Sequence, residues 1–174
     1  MKSFRITLLI MLLSTLSFQY ISAQTPAIST KYSNAEIDQL MKAFKIEHSH
    51  RATPTQLLQQ KFKTDFPGAY DIEWKKAAKL YEVEFEIKRL DYEAYYDEQG
   101  NLVMYKHDIS QSDLPEAIKT KLKSLYPNYR FDDIEKMVKG TETSYKVEME
   151  KGDMDVKIII KSDGTIVSKL EDYD

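Results

Sequence analysis

The chain has no cysteine. That excludes disulfides, thiol catalysis, cysteine-bound zinc and a lipid-modified N-terminal cysteine, so an exported protein of this sequence must hold itself together by packing. It also lacks a cationic excess. Lys and Arg number 25 against 28 Asp and Glu, and removing residues 1–23 takes away Lys2 and Arg5 and no acid, leaving 23 minus 28, or −5. Nucleic-acid binding leaves a basic footprint, and none is present. No Ser-His-Asp order, glycine-rich phosphate loop or HExxH occurs, so the chain reads as a non-enzyme with no cofactor. Histidine is down to three. His48 and His50 could face one side of an extended segment, but two ligands are too few for zinc, and the expectation is a solvated linker and no metal site.

Long hydrophobic runs are absent except at the start. Lys2 and Arg5 precede an apolar run from Ile6 to Leu16, and Ile21-Ser22-Ala23 offers a small residue for signal peptidase, which predicts a cleaved leader over 1–23 and a mature start at Gln24. As a membrane anchor the run is short of the ~20 residues a spanning helix needs. The expected location is the periplasm or the medium, without membrane insertion once the leader is removed.

The rest of the chain is organised around a duplication. Tyr81 to Val103 returns 64 residues later as Tyr145 to Val167 without a gap, identical at Tyr81/Tyr145, Val83/Val147, Glu84/Glu148, Glu86/Glu150, Asp91/Asp155, Gly100/Gly164 and Val103/Val167. About one or two matches would arise by chance. A self-match at fixed period marks a repeated supersecondary unit. Tyr81, Val83, Phe85 and Ile87 alternate with glutamates, and Leu90, Tyr92, Ala94 and Tyr96 alternate with a mostly acidic set, the pattern of two strands with one buried face. Gly152-Asp153 suits a two-residue turn that sets Val147 opposite Ile158 and Met149 opposite Val156. A second turn at Asp97-Glu98-Gln99-Gly100 leads to a third strand, on which Leu102 and Met104 are expected to continue inward.

Each unit also carries a helix. Thr53-Pro54-Thr55-Gln56 is a helix start with Leu57, Leu58, Phe62 and Phe66 inward and Pro67-Gly68 as its stop. Its counterpart runs from Asp113-Leu114-Pro115-Glu116 through Ile118, Leu122 and Leu125 to Pro127. A further short strand follows each helix, carrying Trp74 and Ile134. The helices are 60 apart and the strands 64, so the second unit has four extra residues, expected in the loop Lys139 to Thr143. Ahead of both units, Ser33-Asn34-Ala35-Glu36 is a capping box for a helix with Ile37, Leu40, Met41 and Phe44 on one face. The expected organisation is a leader over 1–23, a flexible segment and short helix over 24–52, and repeats over 53–110 and 111–174. The class is α+β: two tandem helix-plus-four-strand antiparallel units, helices on one face and an open sheet on the other.

These residues resemble the tandem PepSY-like, beta-lactamase-inhibitor-like family of secreted bacterial proteins. The second repeat carries the likeness through Leu114-Pro115, Tyr126-Pro127, Ile134-Glu135, Tyr145-Lys146-Val147-Glu148, Gly152 and Asp163-Gly164-Thr165-Ile166. The first does so through Phe66-Pro67, Tyr81-Glu82-Val83-Glu84 and Asp97-Glu98-Gln99-Gly100. The likeness covers Thr53 to Leu170. Lys161 stands where the first repeat has Asp97, and the first helix lacks the Leu-Pro pair. The resemblance implies a curved open face that grips a partner protein.

On the expected register Tyr95, Val103, Tyr105 and Ile159 point outward, aromatics and aliphatics among charges, as suits a protein interface. Glu84 should lie opposite Glu93 and Glu86 opposite Asp91, an anionic patch for a basic partner segment or, as the alternative, Ca²⁺; the second repeat answers with Glu148 opposite Lys157. A structural envelope protein whose acidic strand face is merely solvated is the remaining reading.

Overall fold

The computed structural model describes residues 25–173, and the expected leader peptide over 1–23 lies outside them. The order is α1 (Asn34–Ile46), β1 (His50–Arg51), α2 (Gln56–Asp65), β2 (Tyr70–Ala77), β3 (Leu80–Ile87), β4 (Leu90–Asp97), β5 (Leu102–Asp108), α3 (Glu116–Leu125), β6 (Arg130–Lys139), β7 (Glu142–Lys151), β8 (Met154–Lys161) and β9 (Ile166–Tyr173). All nine strands lie in one antiparallel sheet in sequence order. Two helix-plus-four-strand units are therefore fused edge to edge through β5 and β6.

The hairpin registers follow the apolar pattern. Val147 faces Ile158, Met149 faces Val156 and Glu148 faces Lys157, while Glu84 faces Glu93 and Glu86 faces Asp91. Lys88 and Arg89 take positive φ in the β3–β4 turn, and Gly100 closes the next turn with its N–H on the Asp97 carbonyl at 3.0 Å. Ser33 and Glu36 form the capping box of α1. The α2 cap is Thr55 rather than Thr53, its Oγ1 accepting from Leu58 N.

Each unit has its own core. Leu58 and Phe62 of α2 and its C-cap Phe66 pack on Trp74, Val83, Phe85 and Tyr96 in the first, a largely aromatic cluster; Ile118 and Leu122 of α3 pack on Ile134, Val147, Met149, Ile158 and Ile160 in the second, an aliphatic one. Val138 of β6 packs against the first cluster, so the seam is bridged by one strand rather than by a shared core.

The sheet face away from α2 and α3 is not fully open. α1 lies across it, with Ile37 and Phe44 buried against Ala77, Leu80, Tyr95 and Val103. At one end Glu47 accepts the Ala78 N–H of the β2–β3 turn at 2.8 Å, and at the other Lys139 Nζ reaches Asp38 at 2.8 Å. The helix thus spans from the first unit to the second. The four extra residues of the second unit do not form a loop; they lengthen β6 and β7 by two residues each about a two-residue turn. That longer hairpin is what brings Gly140 beneath α1, where a Cβ would collide with Asn34 Oδ1 and Ile37 Cδ1. The segment ahead of α1 is likewise docked where flexibility was expected: Ser29 N bonds Leu102 O at 2.8 Å, and Lys31 Nζ and Tyr32 OH both reach Asp97 Oδ2, at 2.7 and 2.8 Å.

Candidate functional site

Four of the predicted site residues come together. Glu84, Glu86, Asp91 and Glu93 line a concave groove of about 520 Å³ on the face away from α2 and α3. β2 adds Asp71 and Glu73, β5 adds Asp108, and β6 adds Asp133 and Glu135, so the groove crosses from the first unit into the second. Nine carboxyl side chains line it, against Lys106; His107 also borders it, with its ring stacked on Tyr92. The contribution of β5 and β6 had no sequence signal, because nothing in a single chain shows that the last strand of one repeat pairs with the first of the next.

The anions are only partly balanced. Glu84 is paired with Lys75 at 2.6 Å, and Lys106 bridges Glu93 at 2.8 Å and Glu135 at 3.5 Å. Glu86 accepts from Tyr70 OH at 2.6 Å. Beyond the groove the pairing continues through Lys146, which meets Glu135 at 3.1 Å and Glu148 at 2.8 Å, to Lys157 on Glu148 at 3.0 Å. Burial pulls Lys106 down, but Glu93 and Glu135 outweigh it and hold its pKa above the ordinary value. Asp108 shows the residual crowding: burial, then the charges of Asp133, Asp91 and Glu135, push its carboxyl up. Like charges directly opposite in a strand pair are costly; between Glu84 and Glu93 that cost is relieved within the sheet, by Lys75 on the one and by Lys106, shared with Glu135, on the other. Glu93→Lys would break the Lys106 pair and set two cations side by side. Among the described residues no group of three or more metal-ligating side chains converges on one point.

Three predicted interface residues are buried. Tyr95 is 6% exposed and Val103 0%, both beneath α1, with the Phe44 and Tyr95 rings edge to face at 5.4 Å. Tyr105 is 2% exposed and lies on the other side altogether, in the α2 core, 5.7 Å from Phe66. The cause is a bulge. Tyr95 pairs with Met104 but Tyr96 with Leu102, so Val103 is an extra residue, and every side chain after it changes face. Met104 turns toward α1, and Tyr105 and His107 turn inward, His107 stacking on Tyr92 at 4.6 Å. The same bulge recurs at Val167, between Ile159/Ser168 and Ile160/Ile166. The available signal was Val103 and Val167 themselves, apolar at matching positions where an outward residue should be polar. Ile159 stays on the open face, half-buried.

Glu82 is the unexpected member of this face, buried beside Tyr95. Tyr95 OH stands 2.6 Å from its Oε1 and 2.8 Å from Glu93 Oε2. One hydroxyl proton cannot serve two carboxylates. A proton on Glu82 completes the set, and burial, helped by Glu93 and Glu84 against Tyr95 and Lys75, does raise its pKa above the ordinary 4.5. An acid raised on folding stabilises the native state below its unfolded pKa and loses that contribution as pH rises through the folded one. Glu82→Gln should therefore flatten the fall in unfolding free energy above pH ~4.5, gaining on the wild type toward neutrality. Urea titrations at several pH values decide it; parallel curves for the two proteins would show that ionising Glu82 costs nothing.

The geometry defines a class: an α+β protein of two tandem helix-plus-meander units sharing one antiparallel sheet. A family model described as putative beta-lactamase-inhibitor-like, PepSY-like matches residues 41–104 and again 79–168, and the chain belongs to that family. Among solved structures it is similar to a BLIP-like protein from Bacteroides fragilis, at 23% identity and TM-score 0.58 over 71% of this chain and 89% of that one. A DUF2874 family protein from Bacteroides uniformis matches at 17% and 0.59 (68% and 90% covered), and a putative periplasmic protein from Bacteroides eggerthii at 14% and 0.60 (69% and 90%). These likenesses show the fold. No curated protein matches the chain. Among the described residues no helix is long and apolar enough to cross a membrane.

Proposed function

We propose that this is an exported, non-catalytic binding module, released after loss of residues 1–23, that holds a basic segment of a partner protein in the acidic groove. Residues 53–110 and 111–174 are its two repeats, and the described part of the preceding segment, residues 25–52, docks on them. The observation that carries the reading is the charge of the groove. It offers nine carboxylates to a single lysine on its walls, Lys106, crosses the seam between the units, and keeps Asp91, Asp108 and Asp133 close enough that the charges of Asp133 and Asp91 add to burial in pushing the Asp108 carboxyl up. A cationic peptide lying there would relieve that crowding, and such electrostatic complementarity governs selectivity and on-rate. Tyr95, Val103 and Tyr105 have no part in it, because folding buries them. Ile159, on the same face of the second unit, does not line the groove.

An oligolysine peptide is the direct probe. Binding measured by fluorescence anisotropy should weaken on moving from about 0.05 to 0.5 M salt, as the Debye length shrinks from roughly 14 Å to 4 Å. Asp91→Asn with Asp133→Asn should cost about tenfold in affinity, from two desolvated charge contacts. Equal binding by the variant, or no dependence on salt, would show the groove to be a solvated face only.

A further inference from the structure

The two edges of the sheet differ. β1, at one edge, is two residues long, whereas β9, at the other, runs eight residues along β8, from Met154 opposite Tyr173 to Ile160 opposite Ile166. Among the described residues no strand pairs with the outer side of β9. Val167 and Leu170 on it are 56% and 61% exposed. A full-length edge without a covering element is a template for another strand, and proteins ordinarily shorten or blunt such edges, as β1 does here.

What can pair with β9 is narrowed by the backbone. Successive residues of a strand send their N–H and C=O groups to alternate sides, so two copies of one edge, related by a two-fold axis, match donors to acceptors only when the axis passes through a residue and not between two. The bulge at Val167 ends the regular ladder on one side, leaving Ser168 onward. Axes through Lys169, Glu171 or Asp172 would set a like charge against itself, and one through Ser168 runs into the bulge. An axis through Leu170 sets Leu170 against Leu170, Lys169 against Glu171, Glu171 against Lys169, and Ser168 against Asp172.

Both faces of that register are complementary. Leu170 lies opposite Lys157, on the face away from α3, while Lys169 and Glu171 lie opposite Ile158 and Val156 on the α3 face. Lys169 Nζ already contacts Glu171 Oε1 within the strand at 3.0 Å. Two copies would close these into a square of two cations and two anions, with the exposed leucines packed back to back. We propose that the protein self-associates through antiparallel β9–β9 pairing centred on Leu170, extending the sheet across two copies of the chain.

Sedimentation velocity of the purified protein over a wide concentration range tests this, with each variant first shown by circular dichroism and melting to be folded. The wild type should show a concentration-dependent dimer. Lys169→Glu, which places four anions in the square, should weaken it by about tenfold or more, and the charge swap Lys169→Glu with Glu171→Lys should restore it. Leu170→Lys should weaken it through the other face. A monomer at every concentration overturns the proposal, as does a dimer indifferent to Lys169→Glu and Leu170→Lys, which would be built on another surface, or a double swap that fails to recover association.

Discussion

Replacing Asp97 with alanine is expected to destabilise the protein by about 3 kcal/mol, the cost of stranding several part-buried donors at once. Asp97 is 3% exposed and accepts from five groups: Lys31 Nζ, Tyr32 OH, Gln99 N, Asn101 N and Asn101 Nδ2, at 2.7 to 2.9 Å. Two of these come from the segment ahead of α1, so the same side chain builds the β4–β5 turn and anchors the N-terminal strap. Burial works to raise its pKa, but the bonds from Lys31, Asn101 and Tyr32 prevail and hold it at about 2, against an ordinary 3.8. An acid depressed on folding contributes stability above its unfolded pKa and loses it as pH falls through the folded value. That window, from ~4 down to ~2, is worth about 2 kcal/mol. Asp97→Ala should lose this part of the acid limb, and Asp97→Asn should fall between, keeping the turn acceptor and losing the ion pair. Denaturant unfolding at pH 7 and pH 3 measures both. An alanine variant within about 0.5 kcal/mol of wild type at pH 7, the range of an ordinary surface change, would mean that the strap and turn stand without Asp97.

Phe44→Ala should cost about 3 kcal/mol, the usual range for emptying a buried aromatic site, and lower the melting temperature by roughly 10 °C for a chain of this size. Phe44 is buried and meets Tyr95 edge to face, so its loss removes the main contact of α1 with the first unit. The consequence reaches further than one cavity. α1 also touches the second unit through Lys139 and Gly140, so it braces a seam that the two separate cores leave to the β5–β6 ladder and Val138. Calorimetry should show the variant melting lower with its transition broadened, as the units begin to unfold apart. A loss below about 1 kcal/mol would show that α1 rests on the sheet without stabilising it.

The groove was half legible. Glu84, Glu86, Asp91 and Glu93 were placed together by hairpin arithmetic, since a two-residue turn and a period of two leave one register. Asp108, Asp133 and Glu135 were not, because their approach depends on β5 pairing with β6 across an intervening helix. Tyr95 keeps its expected face and is covered there by α1, whereas Tyr105 is displaced for a sharper reason. A single inserted residue at Val103 exchanges the faces of everything after it, and the run Leu102-Val103-Met104 is apolar in both parities, so alternation could not reveal the slip.

The chain's local physics was enough for its elements and their duplication: apolar period, capping residues and turn chemistry act within a few residues and can be read there. The same holds for its lack of cysteine and of a basic surface, which are matters of composition. Which side of the sheet α1 would cover, which carboxylates would share a groove, and that Asp97 would be a socket while Lys161 in the second repeat is not, depend on contacts between segments 60 to 100 residues apart. An amphipathic helix specifies that one of its faces will be buried, but the surface that buries it exists only once the sheet has formed.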